Sequence, residues 1–414
     1  MASTRKLIIG AGMVGSCCAL YLQRAGHDVT LIDPHPPGSQ TSFGNAATIA
    51  TYACIPVNHP KLLKSLPSLM FGSERPLSIS PGYALTRLPW LFSFLRHCRR
   101  DRVDQTISAL GALLRHAEDT SLTLFQAADA MDLIRRNGTL YLYSDAETRM
   151  AAKDDIARRR DQGMSISEVK AEDVRELEPT LAPIFASGIL YNDGFQLRDP
   201  QQAVLRLVKR FAADGGEVIC DRVQSIEPAG LDQVRVHLSG STRVFKDVVI
   251  AAGAWSTRIE GPVIDRLPLD TERGYHVMFP DDASALSRPV GLADAGLYLS
   301  PVDGGLRAAG TVELAGLDAK PNQRRLDYIE SAARRALPSL SRRGDTWLGF
   351  RPTLPDSLPV IGRSSRHPSV IYAFGHQHVG LTLGGVTGKL VQQIMDREDP
   401  IVDPTPYAAQ RFLA

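Results

Sequence analysis

The sequence predicts an α/β fold, in which a discontinuous Rossmann-like unit is interrupted by an α+β unit built on an antiparallel sheet with helices. Three observations predict it. The chain opens on a strand, a glycine-rich turn, a helix and a second strand ending in an acid. Residues 272 to 312 carry period-two stretches. The chain closes on a strand, a second glycine loop and a helix.

Lys6-Leu7-Ile8-Ile9 reads as a buried parallel strand, and Gly10-Ala11-Gly12-Met13-Val14-Gly15 as a G-x-G-x-x-G turn. Gly10 allows the tight turn, Gly12 lets backbone approach a pyrophosphate, and Gly15 lets the following helix, Ser16 to Ala25, pack close to the sheet. The unpaired N–H groups at that helix start favour phosphate charge. Val29-Thr30-Leu31-Ile32 is the second strand. It ends at Asp33-Pro34, and Asp33 stands 23 residues after Gly10, where a carboxylate accepts from ribose hydroxyls. Arg5-Lys6 before an apolar run to Leu22 also resembles a secretory signal, but three glycines at this spacing argue against one.

Residues 60 to 135 read as helical and partly amphipathic. Within them, Pro89 to Arg100 (PWLFSFLRHCRR) joins aromatics to a basic end. Such a stretch can lie in a bilayer interface. A buried helix with a solvated basic end is the favoured reading, because one aromatic stripe is more often core. Residues 137 to 150 read as a strand after a turn. Arg198-Asp199-Pro200 opens a helix, Gln201 to Asp214, which Gly215-Gly216 ends. Glu217 to Cys220 and Val234 to Leu238 are strands. Val248 to Ser256 is a buried strand running into a small-residue turn, where Ala252 and Gly253 permit a second close backbone approach. Tyr275 to Phe279, Leu297 to Ser300 and Leu306 to Gly310 read as antiparallel strands, and 323 to 336 as a helix. Val370 to Phe374 is a strand, Gly375 to Gly380 the second glycine loop, and Leu381 to Met395 a helix. Residues 1–60, 196–265 and 340–414 are therefore expected to form the cofactor unit, and 61–195 with 266–339 the substrate unit.

Composition sets limits. The chain has 414 residues, long enough for two domains with a large core. A net charge of +2 gives no nucleic-acid signal. The five cysteines form no C-x-x-C pair, which suits reduced thiols. Cys17 and Cys18 are expected to pack in the core. No run of 18 apolar residues could span a membrane as a helix. The ten histidines show no metal-ligand spacing, so no metal is expected.

The two glycine loops together point to the cofactor. One binds phosphate. The other opens a helix whose N-terminus faces a second negative group, such as the N1 and C2 carbonyl region of a reduced flavin; such an end stabilises charge by roughly 0.3–2 kcal/mol. A nicotinamide cofactor has no need of the second site. The expectation is FAD rather than NAD.

These residues resemble the D-amino acid oxidase superfamily of FAD enzymes, and within it the bacterial D-amino acid dehydrogenase small-subunit group. Gln40 to Ile49 (QTSFGNAATI) resembles the family's T-S-x-x-N-A segment against the flavin. Gly349 to Gly362 (GFRPTLPDSLPVIG) resembles its G-x-R-P-x-x-P-D-x-x-P-x-I-G motif. Gly375 to Thr382 (GHQHVGLT) matches G-H-x-x-x-G-x-T. The resemblance covers almost the whole chain and implies a glutathione-reductase-type cofactor domain. It implies that Gly10, Gly12, Met13, Val14, Gly15, Asp33 and Pro34 hold the adenosine diphosphate half. Thr41, Ser42, Asn45, Ala46 and Ala47 would lie near the ring system, and Val223 would contact adenine. Gly375, His376, Val379, Gly380, Leu381 and Thr382 would cover the pyrimidine edge. No cysteine lies in the C-terminal stretch where some relatives attach flavin, so FAD is expected to be non-covalent.

The resemblance also implies the substrate residues. Arg351 matches the carboxylate-binding arginine, whose fork suits a carboxylate; the alternative is a structural arginine pairing Asp356 or capping a helix. Tyr275 resembles the tyrosine that closes over substrate; the alternative is a sheet tyrosine with a bonded hydroxyl. Tyr298 is a further substrate candidate. His376 and His378 flank the flavin loop, where a histidine next to a cofactor could tune charge or serve as a base; His376 is the candidate for a flavin or substrate contact, with a hydrogen-bonded spacer as the alternative. The expected reaction is oxidation of a D-amino acid to the imine, by hydride transfer to flavin N5, with hydrolysis to a 2-oxo acid and ammonia. A cyclic imino acid such as D-proline or D-hydroxyproline, a glycine- or sarcosine-type amine, and a flavin-binding protein without turnover remain open. The expected electron acceptor is a respiratory quinone or other carrier. The expected location is cytoplasmic, with peripheral contact on the inner face of the cytoplasmic membrane as the variant.

Overall fold

A computed structural model describes residues 4–60 and 77–413 of the chain. The part of the expected helical stretch at 61–76 lies outside the described residues.

Among the described residues, six strands form the first sheet, in the order Glu217–Ile219, Val29–Ile32, Lys6–Ile9, Asp247–Ile250, Val370–Phe374, Val360–Arg363. The first five run parallel, and Val360–Arg363 closes the edge antiparallel to Val370–Phe374. Alternation along the strands separates two cores, which is why these strands read as unbroken apolar runs. Ile8, Leu31, Val249 and Ile371 face a helical layer. Leu7, Ile9, Val248 and Ile250 face a small antiparallel sheet of Val223–Pro228, Val234–Leu238 and Thr242–Phe245. Lys6 and Asp247 form a buried ion pair of 2.9 Å across neighbouring strands.

The helical layer joins the two ends of the chain. The first helix, Met13–Arg24, crosses the last, Gly380–Asp396, at glycines. A Cβ on Gly384 would stand 2.8 Å from Met13 Cγ, and one on Gly388 would stand 2.8 Å from the Cys17 carbonyl. Cys17 and Cys18 are buried in this crossing, as expected, and burial raises both thiol pKa values. Pro200–Ala213 packs beside the first helix, with Asp199 accepting from the backbone N–H of Gln201 and Gln202 at its start.

The second sheet has nine strands among the described residues. Its main path is Thr346–Thr353, Asp270–Phe279, Gly305–Leu314, Leu297–Val302, Val290–Leu292, Thr139–Tyr143, Ser187–Tyr191, Ile166–Lys170, with Leu77–Ile79 added beside Gly305–Leu314. The helix Gln323–Ala336 covers one face, burying Leu326, Ile329 and Ala333 against Val277 and Phe279. A short sheet of Thr48–Ile49, Phe195–Leu197 and Ile134–Arg135 links the two larger units.

Several elements differ from the sequence reading. The strand expected over 137–150 stops at Tyr143; Asp145 then caps a helix, Ala146–Ala151, by accepting from Thr148 N. The strand expected over 248–256 ends at Ile250, and Gly253–Arg258 is a 3₁₀ turn. Thr346–Thr353 lies inside the segment assigned to the cofactor unit, yet it pairs with Asp270–Phe279 in the antiparallel sheet. Helices Arg100–Leu114 and Ala117–Ala127 lie inside the segment assigned to the substrate unit, yet they share a core with the first and last helices. In Leu88–Arg96, Trp90 and Phe94 are buried and stacked at 5.3 Å, while Leu88 and Phe92 stay exposed. No described helix is long and apolar enough to cross a membrane.

The glycine crossing supports a stability prediction. Gly388→Ala gains about 1 kcal/mol of helix propensity, but its Cβ must push the first helix's backbone away, and overpacking costs about 1–3 kcal/mol. Chemical denaturation should show net destabilisation. An equal or raised midpoint would mean that the helices separate at no cost.

Candidate active site

A cavity of about 850 Å³ lies between the carboxyl edge of the parallel sheet and the inner face of the antiparallel sheet. That edge is where open α/β sheets bind ligands. The parallel-sheet wall is made by Gly10, Gly12, Met13, Val14, Asp33, Pro34, Ala252 and Gly253, with Val223 beside them. The antiparallel wall is made by Gly274, Tyr298, Thr311, Trp347 and Arg351. Thr41, Ser42, Asn45 and Ala46 line it from one loop, and His376, Val379, Gly380 and Leu381 from another.

The three opening glycines divide their work. Gly10 has φ of +109°, and a Cβ there would meet the Ala251 carbonyl at 2.5 Å. A Cβ on Gly15 would stand 1.8 Å from the Gly10 carbonyl, so this glycine faces protein and not the cavity. Gly12 is different: a Cβ would meet only Ser42 Oγ, at 3.2 Å, and would otherwise point into the cavity. The Asp33 carboxylate accepts from the N–H of Ala11 and His35, both at 2.8 Å, which fixes it at the cavity rim.

The loop 41–48 is held by its neighbours' side chains. Arg307 donates to the carbonyls of Phe43 and Asn45, His276 Nδ1 bonds the carbonyl of Gly44, and Ser300 donates to that of Ala46. Burial lowers the Arg307 guanidinium to about 10 and, with Arg307 nearby, His276 to about 3. His276 is therefore neutral and donates from Nδ1 to a carbonyl that can only accept. The polar groups of the T-S-x-x-N-A segment also serve the fold. Thr41 donates to the Phe350 carbonyl, Ser42 Oγ accepts from Met13 N, and Asn45 bonds both the Ser42 carbonyl and Ala47 N. Ala47 has φ of 59° and is buried behind the wall. Gly375 packs against Leu354, and Thr382 Oγ1 accepts from Ala50 N, so these two also support the wall without lining it.

Arg351 sits where a β-bulge widens the sheet. Arg273 pairs Glu313 and Tyr275 pairs Gly310, so Thr311 and Val312 together face Gly274. A Cβ on Gly274 would stand 2.2 Å from the Arg351 guanidinium, which therefore lies flat on that glycine. Thr311, at φ of 60°, turns its carbonyl to accept from Arg351 Nη1 at 2.8 Å. That conformation is costly for a β-branched residue. Burial lowers the Arg351 pKa, and Glu272 on the adjacent strand opposes that shift. The alternative partner Asp356 is held instead by Arg411 at 2.6 Å.

The other candidates fare differently. Tyr275 is fully buried, and its hydroxyl donates to Glu313 at 2.5 Å and accepts from Asn322 N. Its ring belongs to the core under the helix Gln323–Ala336, so the hydroxyl is committed away from Arg351. Tyr275 thus has its hydroxyl bonded within the sheet, and it also lines the cavity. His376 is 2% exposed, its Nε2 bonds Thr387 Oγ1 at 2.9 Å, and burial lowers it to about 3. It is a neutral ring on the cavity wall, unsuited to accept a proton at working pH. Tyr298 does line the cavity beside Tyr52, and burial raises both hydroxyl pKa values.

Sequence reasoning missed three parts. Arg307 and His276 lie in strands whose pairing partner, the loop 43–46, is remote in sequence. Trp347 lines the cavity and stacks on His276 at 5.3 Å. The third is a hydrogen bond of 2.6 Å between the buried Glu272 and His378, which lines the cavity. A signal existed for it, since His378 stands in the second glycine loop.

Residues 6–394 match the family described as FAD dependent oxidoreductase, DAO. A D-amino-acid oxidase from Bradyrhizobium diazoefficiens is 35% identical over 98% of both chains. Glycine oxidase from Geobacillus kaustophilus shares the fold at a TM-score of 0.73, with 20% identity over 99% of each chain. L-proline dehydrogenase from P. horikoshii does so at 0.72, with 17% identity, covering 100% of this chain and 98% of that one. The chain belongs to the DAO family of FAD-dependent oxidoreductases. The residues fit that cofactor. The cavity is of ligand size, Gly12 leaves room for a pyrophosphate, Asp33 offers a carboxylate at the rim that a ribose hydroxyl could meet, and a helix N-terminus starts at Gly380.

Gly12→Val should separate cofactor binding from folding. The protein should purify folded and colourless, and melt with wild type stripped of FAD. Wild type should be yellow and release its flavin on acid precipitation. A yellow Gly12→Val variant would refute the placement of the pyrophosphate; flavin remaining with the wild-type precipitate would refute non-covalent attachment.

Proposed function

We propose that this FAD-dependent oxidoreductase oxidises a D-amino acid to its imine, which hydrolyses to a 2-oxo acid and ammonia. One observation carries the reading. Arg351 is a half-buried guanidinium on the cavity wall whose hydrogen bond goes to a backbone carbonyl, with no carboxylate bonded to it among the described residues. A cation so placed suits an anionic substrate group.

Thr311 holds one guanidinium nitrogen, and Gly274 lets the group lie flat at the sheet, so its fork is fixed before substrate arrives. The substrate carboxylate takes the free donors. Trp347 and Tyr298 then flank the α-carbon and exclude water. Met13, Ser42 and the Gly375–Gly380 loop would hold the flavin, which when bound would supply the oxidant for the α-hydrogen. The D enantiomer follows from the likeness to the D-amino-acid oxidase. A cyclic imino acid is the second reading, supported by the fold shared with L-proline dehydrogenase. For the electron acceptor we take a carrier at the membrane surface. The support is the helix Leu88–Arg96, whose exposed Leu88 and Phe92 stand beside exposed Arg96, Arg99 and Arg100.

Anaerobic titration with a panel of D- and L-amino and imino acids tests the reading. D compounds should bleach the oxidised flavin band, and bleaching confined to L compounds would overturn the stereochemistry.

Arg351→Ala removes a charged partner from a desolvated site, a change that costs on the order of 2–5 kcal/mol. That is roughly 30- to 4,000-fold in kcat/KM, since about 1.4 kcal/mol is tenfold. Arg351→Lys should lose part of it, because lysine offers a point charge and no fork. Both variants should keep FAD. An amine without a carboxylate should be affected far less than the amino acid. Equal losses, or loss of flavin, would make Arg351 structural.

A further inference from the structure

An amino acid in neutral water carries an ammonium group, and an ammonium nitrogen has no lone pair with which to form a C=N bond. A proton must leave before the α-hydrogen can depart with its electrons. Asp33, His35 and Glu260 line the cavity at the end beside Gly10 and Val223, and near Arg351 little else in the wall can take it. Arg351 is a cation. His376 is neutral but a poor acceptor, with its Nε2 already bonded to Thr387. Burial holds Tyr52 and Tyr298 in their protonated forms.

His378 is the exception. Its loop is fixed on both sides. Gln377, at φ of 50°, donates from its N–H to the Pro352 carbonyl at 2.9 Å, and Val379 N donates to the His376 carbonyl at 2.9 Å. The first bond ties the loop to the strand that carries Arg351. His378 Nε2 stands 2.6 Å from Glu272 Oε2, and Glu272 is 2% exposed. A carboxylate only accepts, so Nε2 carries the proton. In the neutral form of the ring the lone pair therefore lies at Nδ1. No described residue bonds that nitrogen, and His378 lines the cavity with its side chain 35% exposed. The charged and titratable groups around this ring are Glu272 and Arg351 on the neighbouring strands, His376 in its own loop, and Tyr52 and Tyr298 on the cavity wall.

We propose that His378, oriented by Glu272, accepts the ammonium proton of the substrate through Nδ1. This rests on the reading of the cavity as an amino-acid site. One N–H bond of the ammonium breaks, its electron pair stays on nitrogen, and the proton bonds Nδ1. The resulting imidazolium is balanced by the Glu272 carboxylate. The amine lone pair then forms the C=N bond as the α-hydrogen leaves with its electron pair to the oxidised flavin. Arg351 and His378 thus take the two charged ends of one zwitterion, and Glu272 stands between them.

The test is anaerobic flavin reduction by a D-amino acid that bleaches the wild type, followed as kcat/KM from about pH 6 to about pH 10. Wild type should show an acid limb set by an enzyme group. His378→Asn should lose that limb, and its rate should rise until the pH reaches the pKa of the substrate amine. An amine about two units below its pKa is neutral in roughly one molecule in a hundred, so the loss there should be on the order of 100-fold, vanishing at the amine pKa. His378→Gln should behave alike. Glu272→Gln should move the wild-type limb without removing it. FAD content and the dissociation constant of propionate, a carboxylate without an amine, should be unchanged in His378→Asn. A loss equal at every pH, or weaker propionate binding, would make His378 structural and overturn the proposal. A wild-type flavin that no amino or imino acid reduces would instead bring down the amino-acid reading itself.

Discussion

The arrangement depends on how the carbonyls of residues 43–46 are satisfied. Four consecutive backbone acceptors lie against the antiparallel sheet, and a buried carbonyl without a donor costs about 1–3 kcal/mol. Arg307, His276 and Ser300 supply the donors, all from that sheet. The other side of the loop is tied to the parallel-sheet unit by Ser42 on Met13 N, and its start by Thr41 on the Phe350 carbonyl. One loop is therefore bonded to both units. The cofactor wall and the substrate wall cannot shift independently without breaking these bonds. A reaction that needs an α-hydrogen held at a fixed distance from its acceptor gains from such coupling.

The second sheet accepts local strain to complete the wall. Regular pairing would place one residue opposite Gly274, and the bulge places two. Thr311 consequently adopts φ of 60°, and its buried hydroxyl has no partner. The gain is a carbonyl aimed at Arg351 and a strand bent away from the guanidinium. Gly274 completes the arrangement, because any side chain there would occupy the space of the arginine. Strain, an unbonded hydroxyl and an obligatory glycine meet at one guanidinium, which marks the position as selected for something other than folding.

Much of this was legible in the chain. The opening strand, turn, helix and acid are contiguous, and each glycine's role follows from local geometry. The C-terminal loop and helix were legible for the same reason. The antiparallel unit was less so. Its strands Ser187–Tyr191, Ile166–Lys170 and Thr346–Thr353 have short or broken alternation, and their partners are remote. Register decides which face a strand residue occupies, and register does not show in a single strand's sequence. The substrate role of Tyr275 came from the family resemblance, and its strand's sequence could not show where its hydroxyl goes. The bulge puts Gly274 toward Arg351 and sends the Tyr275 hydroxyl to Glu313. Neighbouring loop histidines posed a similar difficulty. His376 and His378 are two residues apart in one motif, yet one is buried against Thr387 and the other meets Glu272 in the cavity.

Charge gives the last link between the walls. Arg307 and Arg351 are both held where burial lowers their pKa values, and among the described residues neither is hydrogen-bonded to a carboxylate. Asp199 offsets Arg307 only from a distance, and Glu272 offsets Arg351 but is itself paired with His378. Each donates to backbone carbonyls, Arg307 to two and Arg351 to one, but a neutral donor could serve those bonds without a buried charge. Keeping two poorly compensated cations beside one cavity raises the affinity for negative charge there. The substrate brings a carboxylate, and a reduced flavin carries negative charge on its pyrimidine side. The same field penalises an ammonium group that enters with the carboxylate. A binding site built this way therefore favours the aminocarboxylate anion over the zwitterion, so the electrostatics that hold the carboxylate also favour loss of the ammonium proton.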